Sequence, residues 1–400
     1  MTNFESSPIG SFFLVVPPGL EEILIYELSL YGQLRSAIST PEVTKGGVGL
    51  EAPIELGLEL NHVLKTPTRI LMRMTDFGCR DFPKLFKKMS QLPWDQWIDD
   101  QVPVDFQVSS TNSRLKIKKR IEETCLDARK KYLKLKNIDV ASAKSQVDPV
   151  QIYIRIEQNI CTVSLDTSGD RLHKRGYRKH VSEAPIRESL ASALVLALLR
   201  ERQNNSSGES AVRLELADPM MGGGTLLFEG ARLFDRNEDR QFAYENTLLN
   251  RHESKTGQLC SHTKLIVNKH YGFELDQKTL QAAKKNFEDS RLKSECEFIC
   301  EDFFSRSSEI PRSEVERWVI ANPPYGERIQ IQGPIANYYE KFFRQIDLIL
   351  RPDRVGIILS NKALGRPLKI PKSWMLDRCL KFSNGGLPVT AMLWSVSGPR

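Results

Sequence analysis

Asn322-Pro323-Pro324-Tyr325 closes the apolar run Trp318-Val319-Ile320-Ala321, and few chemistries call for an amide, two prolines and an aromatic at a strand end. Each proline fixes φ and removes a backbone N–H, so the turn's carbonyls and the Asn322 amide oxygen face one small space as acceptors. Tyr325 adds a flat wall. The lone pair of an exocyclic amine is delocalised into its ring. Two acceptors on its hydrogens, with the ring stacked on an aromatic, hold that nitrogen in line with a methyl donor and favour its pyramidalisation. The four residues predict methylation of a planar amino nitrogen. Taken alone, they equally describe a proline turn ending a buried strand.

Upstream, the strand Val212 to Ala217 runs into Asp218-Pro219-Met220-Met221-Gly222-Gly223-Gly224-Thr225 and then a helix from Leu226 to Phe234. Glycines let backbone approach a ligand closely, and a helix start offers unpaired N–H groups to a carboxylate. No Gly-Lys-Ser/Thr follows and G-x-G-x-x-G is absent, which excludes a P-loop and the dinucleotide fingerprint. A second strand ends in Phe273-Glu274-Leu275-Asp276 before the helix Gln277 to Phe287. Glu274 is placed to take the ribose hydroxyls of a nucleoside-bearing donor, whereas Asp276 stands where a helix N-cap belongs. A third strand, Cys296 to Cys300, leads to Glu301-Asp302-Phe303. There Asp302 can accept from an adenine amino group with Phe303 packed nearby, although acids at strand ends are also common caps.

These landmarks carry a resemblance. Residues 210 to 400 resemble the class I S-adenosylmethionine-dependent methyltransferases that act on amino groups. The stretch Leu165-Asp166-Thr167-Ser168-Gly169-Asp170-Arg171 through Arg178, then Ala184-Pro185-Ile186-Arg187-Glu188, is similar to the THUMP-containing RNA guanine-N2 methyltransferases, in particular the bacterial large-subunit rRNA branch. The likeness extends from Gly19-Leu20-Glu21-Glu22 to Asn384-Gly385-Gly386-Leu387. It departs at Met221 and Gly223, where the family usually has Cys and Ser.

The resemblance implies an α+β N-terminal module over residues 1–168, with a THUMP fold and a ferredoxin-like part. A basic linker, 169–184, then leads to an α/β class I (Rossmann-like) domain over 185–400 with a seven-stranded doubly wound sheet. It implies S-adenosyl-L-methionine as cofactor, held by Asp218, Pro219, Met220, Gly222, Gly224, Thr225, Glu274, Asp302 and Phe303. Asn322, Pro323, Pro324 and Tyr325 form the catalytic turn. Arg187 and Glu188 line the donor pocket by the same likeness, or else form a surface ion pair. Glu327 or Arg328 is a candidate reader of the base edge.

Composition agrees. A chain of 400 residues with 40% hydrophobic content supports two or three cored domains. No run approaches the ~18 apolar residues of a membrane span, and the start Met-Thr-Asn-Phe-Glu lacks a signal peptide's basic region, so a cytoplasmic protein is expected; a monomer is a separate expectation. Seven cysteines without a C-x-x-C pair suggest reduced thiols, with Cys296 and Cys300 read as core. The six histidines show no ligand spacing, and no metal is expected.

The net charge is +7, and residues 114 to 136 alone hold ten basic against three acidic side chains. Ile117, Ile121, Cys125, Ala128 and Tyr132 recur there every three or four residues, which predicts an amphipathic helix with a cationic outer face. Lys118, Lys119, Lys130 and Lys131 on that helix, and Arg175 and Arg178 in a second basic cluster, are the expected RNA contacts. A merely solvated helix with Glu–Lys pairs fits the first cluster as well.

Elsewhere the pattern predicts strands at Phe12–Val16, Arg69–Asp76, Val104–Ser109, Gln151–Ile156 and Cys161–Asp166. It predicts helices at Leu20–Tyr31, Ile54–Leu64, Asp81–Met89 and Ile186–Arg200. Residues 235 to 268 read as a polar insertion. The second half then alternates through helix Ile335–Leu350 and strand Val355–Ser360 to an antiparallel terminal pair. The expected reaction is methyl transfer to guanine N2 in RNA, rRNA ahead of tRNA. DNA adenine-N6 methylation, protein glutamine methylation and a non-catalytic RNA-binding assembly role remain as alternatives.

Overall fold

The computed structural model describes residues 8–137, 148–177, 186–205, 211–237, 240–252, 259–326, 333–365 and 367–397. Arg178, Pro185, Glu327 and Arg328 lie outside them. The described strands form two mixed sheets of seven. The first contains β1 (Ile9–Val15), β2 (Glu42–Thr44), β3 (Gly47–Pro53), β4 (Arg69–Gly78), β5 (Val104–Thr111), β6 (Val150–Glu157) and β7 (Ile160–Asp166), in the order β2-β3-β1-β4-β7-β6-β5. Its helices are α1 (Glu21–Ser29), α2 (Leu34–Ala37), α3 (Ile54–Val63), α4 (Phe82–Met89) and α5 (Lys118–Leu135). Asp81 caps α4 by accepting from the Lys84 N–H at 2.7 Å, with Pro83 in the first turn. Ile121, Cys125, Ala128 and Tyr132 of α5 are buried, as their spacing required, but Ile117, expected on the same stripe, precedes the helix and is exposed.

The second sheet contains β8 (Ala211–Asp218), β9 (Lys264–Glu274), β10 (Glu295–Cys300), β11 (Glu316–Ala321), β12 (Arg354–Ser360), β13 (Trp374–Asn384) and β14 (Leu387–Val396). Their order is β10-β9-β8-β11-β12-β14-β13, parallel from β10 to β12, with β14 antiparallel to both neighbours. The helices are α6 (Glu188–Asn205), α7 (Thr225–Ala231), α8 (Gln277–Asp289), α9 (Ile335–Leu350) and α10 (Asn361–Leu364). Side chains alternate across a strand, and here both faces are covered. Trp318 and Ile320 of β11 enter one core while Val319 and Ala321 enter the other. Tyr339, Phe342, Phe343, Ile346 and Ile349 form the buried stripe that seats α9 on that second face. The first core continues into the N-terminal half through α1 and α6.

Four sequence expectations are corrected. The β2–β3 pair was not foreseen, because Gly46, Gly47 and Gly49 depress its strand signal. Gly47 is required nonetheless, since a Cβ there would stand 2.4 Å from the Phe13 ring. Cys296 and Cys300 are exposed rather than core, because β10 is an outer strand on which only Phe298 is buried. The polar insertion is in part a docked strap. Its Phe242, Tyr244 and Leu249 are buried, with the Tyr244 hydroxyl 2.9 Å from His62 Nε2 and the Leu248 N–H donating to the Trp97 carbonyl at 3.0 Å.

The fourth correction concerns the second basic cluster. Arg175 is 7% exposed and lies 2.9 Å from the Glu229 carboxylate on α7, while its Nη2 donates to the Lys65 carbonyl at 2.9 Å. Tyr177 Oη and Ser192 Oγ also donate to Glu229, at 2.8 and 2.6 Å. Burial, then the Arg175 charge, pull the neighbouring Lys65 ammonium down to about 7. Arg175 is thus a tie between the two halves, closed to a phosphate backbone.

Candidate active site at the carboxyl edge of the second sheet

The chain runs from β8 outward to β9 and β10, then returns to lay β11 on the other side of β8. Such a reversal opens a crevice at the carboxyl ends of the strands. Both turns singled out in the sequence lie there. β8 ends at Asp218, whose Oδ1 accepts from the Met220 N–H at 2.9 Å. Gly222 and Gly224 take φ of +53° and +83°, and a Cβ on Gly224 would stand 2.4 Å from the Phe228 ring. Thr225 then opens α7.

Glu274, ending β9, accepts from the Gly222 N–H at 3.1 Å and the Asp276 N–H at 2.9 Å, so its carboxylate faces the glycine turn. Asp276 accepts from the Thr279 N–H at 2.8 Å, as an N-cap should. Asp218 is fully buried. Burial first, and the nearby Glu274 charge, lift its carboxyl to about 8, against the lowering effect of the Met220 N–H.

Met221 is buried, its sulfur lying over Gly272, where a Cβ would come within 2.1 Å of it. The bulk of Met221 is therefore absorbed on the sheet side of the turn. Met220 meets the other side, its sulfur 3.2 Å from the Tyr338 hydroxyl. Asp302 accepts from the Phe304 N–H and the Ser305 hydroxyl, each at 3.0 Å. Phe303 is a core residue, buried against Phe273 at 5.1 Å between ring centroids. Glu188 is buried, which overturns a surface ion pair for it, whereas Arg187 is exposed.

Across the crevice, Asn322 follows β11. Its Oδ1 accepts from the Tyr325 hydroxyl, and that hydroxyl in turn accepts from Asn384 Nδ2 at 3.3 Å. Tyr339 on α9 donates to the Pro324 carbonyl at 3.0 Å. Burial raises the Tyr325 hydroxyl to about 12, and its ring leans on the first core. Tyr339 and Asn384 escaped the sequence reading. Asn384 stood in the sequence only as part of the Asn384-Gly385-Gly386-Leu387 likeness and as the residue before a hairpin turn, with no role at the site.

Lys118, Lys119, Lys130 and Lys131 are exposed on α5. Lys130 lies 3.7 Å from Asp127 in an exposed pair of little energetic weight. Arg129, counted on the cationic face by sequence, is buried and donates to the Val102 carbonyl at 3.2 Å. The exposed Lys84, Lys87 and Lys88 of α4, which packs beside α5, extend the basic surface. Among the described residues no helix is long and apolar enough to cross a membrane, and no cluster of three His, Cys, Asp or Glu could hold a metal.

A family model described as RMKL-like, methyltransferase domain (UPF0020) matches residues 175–370, and a THUMP domain model matches residues 79–166. This chain joins a THUMP domain to an RMKL-like methyltransferase domain. A "Ribosomal RNA large subunit methyltransferase K/L" of Aliivibrio fischeri is 27% identical over 96% of this chain and 53% of that protein. The chain spans about half the length of the curated relatives it matches. Among solved structures, a possible methylase from Clostridium difficile 630 superposes with a TM-score of 0.76 at 22% identity over 98% of this chain and 100% of that one. SMU.472, a putative methyltransferase complexed with SAH, gives 0.75 at 21% over 98% and 99%. At these identities the two structures speak for the fold. The THUMP match takes in β5, α5, β6 and β7, so the cationic helix lies within it. The methyltransferase match takes in β8 through β12, with both turns of the crevice.

Proposed function

We propose that this chain transfers a methyl group from S-adenosylmethionine to the exocyclic N2 amino group of a guanine in RNA, large-subunit ribosomal RNA ahead of transfer RNA. One observation carries the reading: a carboxylate-backed glycine turn and an Asn-Pro-Pro-Tyr turn open at the carboxyl ends of the adjacent strands β8 and β11. The names of the curated relatives point to the same substrate class. In its finer detail the first half is read as a ferredoxin-like part plus a THUMP fold, and the second as a class I doubly wound domain.

The residues present fit the donor. Gly222 and Gly224 leave the backbone open to close approach, and Asp218 is a buried carboxyl that an ammonium group would stabilise in its charged form. Pro219, Met220 and Thr225 complete that turn, Glu274 takes the ribose hydroxyls, and Asp302, carried by the buried Phe303, accepts from the adenine amino group. Bound there, S-adenosylmethionine supplies an electrophilic methyl on a sulfonium.

On the facing wall, Asn322 Oδ1 and the Pro323 carbonyl accept the two amine hydrogens, the Pro324 carbonyl being engaged by Tyr339. Tyr325 stacks on a base extruded from its helix. As the new C–N bond forms the nitrogen turns acidic, and one proton leaves through these acceptors to solvent, so no strong base is needed. Lys118, Lys119, Lys130 and Lys131 hold the RNA backbone. A cytosolic setting belongs to the same reading, supported by the free cysteines of the described residues.

The test is to incubate the full chain with methyl-labelled S-adenosylmethionine and purified RNAs. Label should enter large-subunit rRNA. Label confined to tRNA would move the substrate, and label in neither RNA would overturn the reading.

A further inference from the structure

We propose that Asn384 is a positioning residue for the methyl-accepting site, acting through the Tyr325 hydroxyl to fix which way the Asn322 amide faces; this rests on the function proposed above. Asn384 ends β13, and Gly385 and Gly386 follow at φ of +60° and +88°. That two-residue turn needs positive φ at its two glycines. Nothing in its backbone requires an amide side chain at 384. The amide nonetheless donates from Nδ2 to the Tyr325 oxygen at 3.3 Å, bridging 59 residues of chain.

A tyrosine hydroxyl has one proton to give. With Asn384 donating to its oxygen, that proton is directed to Asn322 Oδ1. The three groups form a one-way relay, Asn384 N–H to Tyr325 O–H to Asn322 C=O, in which each bond polarises the next. An amide is nearly symmetric in shape but opposite in chemistry at its two ends. Were the relay reversed, Asn322 would turn its Nδ2 to Tyr325 and its two ends would exchange places in the turn. The direction set by Asn384 therefore holds Oδ1 in place, with its second lone pair left for the substrate amine.

The relay separates shape from hydrogen-bond direction, and substitution can do the same. Asn384→Asp keeps the shape but can only accept, so it pulls the Tyr325 proton away from Asn322. Asn384→Ala leaves the hydroxyl without a director. In steady-state methylation of RNA by the full chain, Asn384→Asp should lower kcat by about 10-fold or more and Asn384→Ala by only a few-fold. KM for RNA and donor affinity by calorimetry should stay within about twofold of the parent. In a Tyr325→Phe background, Asn384→Asp should cost nothing further, since the coupling runs through the missing hydroxyl.

The opposite order, with Asp tolerated and Ala damaging, would show a packing role and overturn the proposal. Full additivity with Tyr325→Phe would overturn it too. A readout independent of turnover keeps the two readings apart: fluorotyrosine placed at 325, observed by 19F resonance. Its signal should move in both Asn384→Asp and Asn322→Ala even if the parent methylates no RNA. A signal unmoved by either removes the relay.

Discussion

On the crevice wall proposed to hold the donor, Asp218, Gly222 and Glu274 are tied by short contacts within and between adjacent strand ends, Met220 N–H to Asp218 and Gly222 N–H to Glu274. On the wall proposed to hold the methyl acceptor, the Asn322 turn is held by Tyr339 from α9 and Asn384 from the β13–β14 hairpin. The first wall is closed by bonds within its own turns and one longer tie, Gly222 to Glu274, between neighbouring strand ends, whereas the second depends on elements that follow β11 in the chain. The difference teaches that the walls should fail separately: damage to one removes donor binding, and damage to the other removes transfer with donor still bound.

The largest expected effect is at Asn322. Replacing it with Ala should lower kcat by about 100-fold, the loss of one positioned acceptor at the reacting nitrogen, while calorimetric donor affinity stays near the parent's. Near-normal turnover would take the reaction away from this turn.

The second contrast is in pH and belongs to the donor wall alone. The Asp218 carboxyl, lifted to about 8 in the folded chain, keeps its proton there when the unfolded chain has already lost it above the usual carboxylate range. Its contribution to stability is complete at low pH and declines by about 1 kcal/mol per pH unit as pH rises toward 8. Asn322→Ala should keep that slope, and Asp218→Asn should lose it. Denaturant midpoints compared at pH 6 and pH 8 decide the point.

Third in size, Glu274→Ala should weaken donor affinity about 10-fold through lost hydroxyl contacts, with kcat at saturating donor reduced far less. An unchanged titration would move the ribose role to Asp276, which here is occupied as a helix cap.

The smallest effect lies outside the crevice and should touch neither wall. Neutralising two or three of Lys118, Lys119, Lys130 and Lys131 should flatten the dependence of RNA affinity on log salt by about 0.7 to 0.9 per lost contact, with no change in donor binding. A constant slope would make α5 a solvated face only.

What was legible in the sequence follows the same division. The strand ends, the glycine turn and the Asp276 cap were readable because each depends on residues within about one turn of itself. The bounds of α9 matched residue for residue, since its apolar stripe is long and periodic. Pairings across long separations were invisible: Tyr339 on Pro324, Asn384 on Tyr325, and Arg175 on Glu229.

The two basic clusters show why. α5 and the segment around Arg175 look alike as runs of charge, but only the second has a buried acid waiting 54 residues downstream. Charge density alone does not distinguish a phosphate-binding face from a buried joint. Cys296 and Cys300 failed for a related reason, because a strand's period tells which residues share a face and not whether that face is covered.

The most direct test of the central claim is the identity of the methylated nucleoside. RNA labelled by the full chain should be digested to nucleosides and separated, beside RNA treated with Asn322→Ala. The account predicts the label in N2-methylguanosine with the parent and about 100-fold less of it with the variant. Label in N6-methyladenosine, or equal label from the variant, would contradict it.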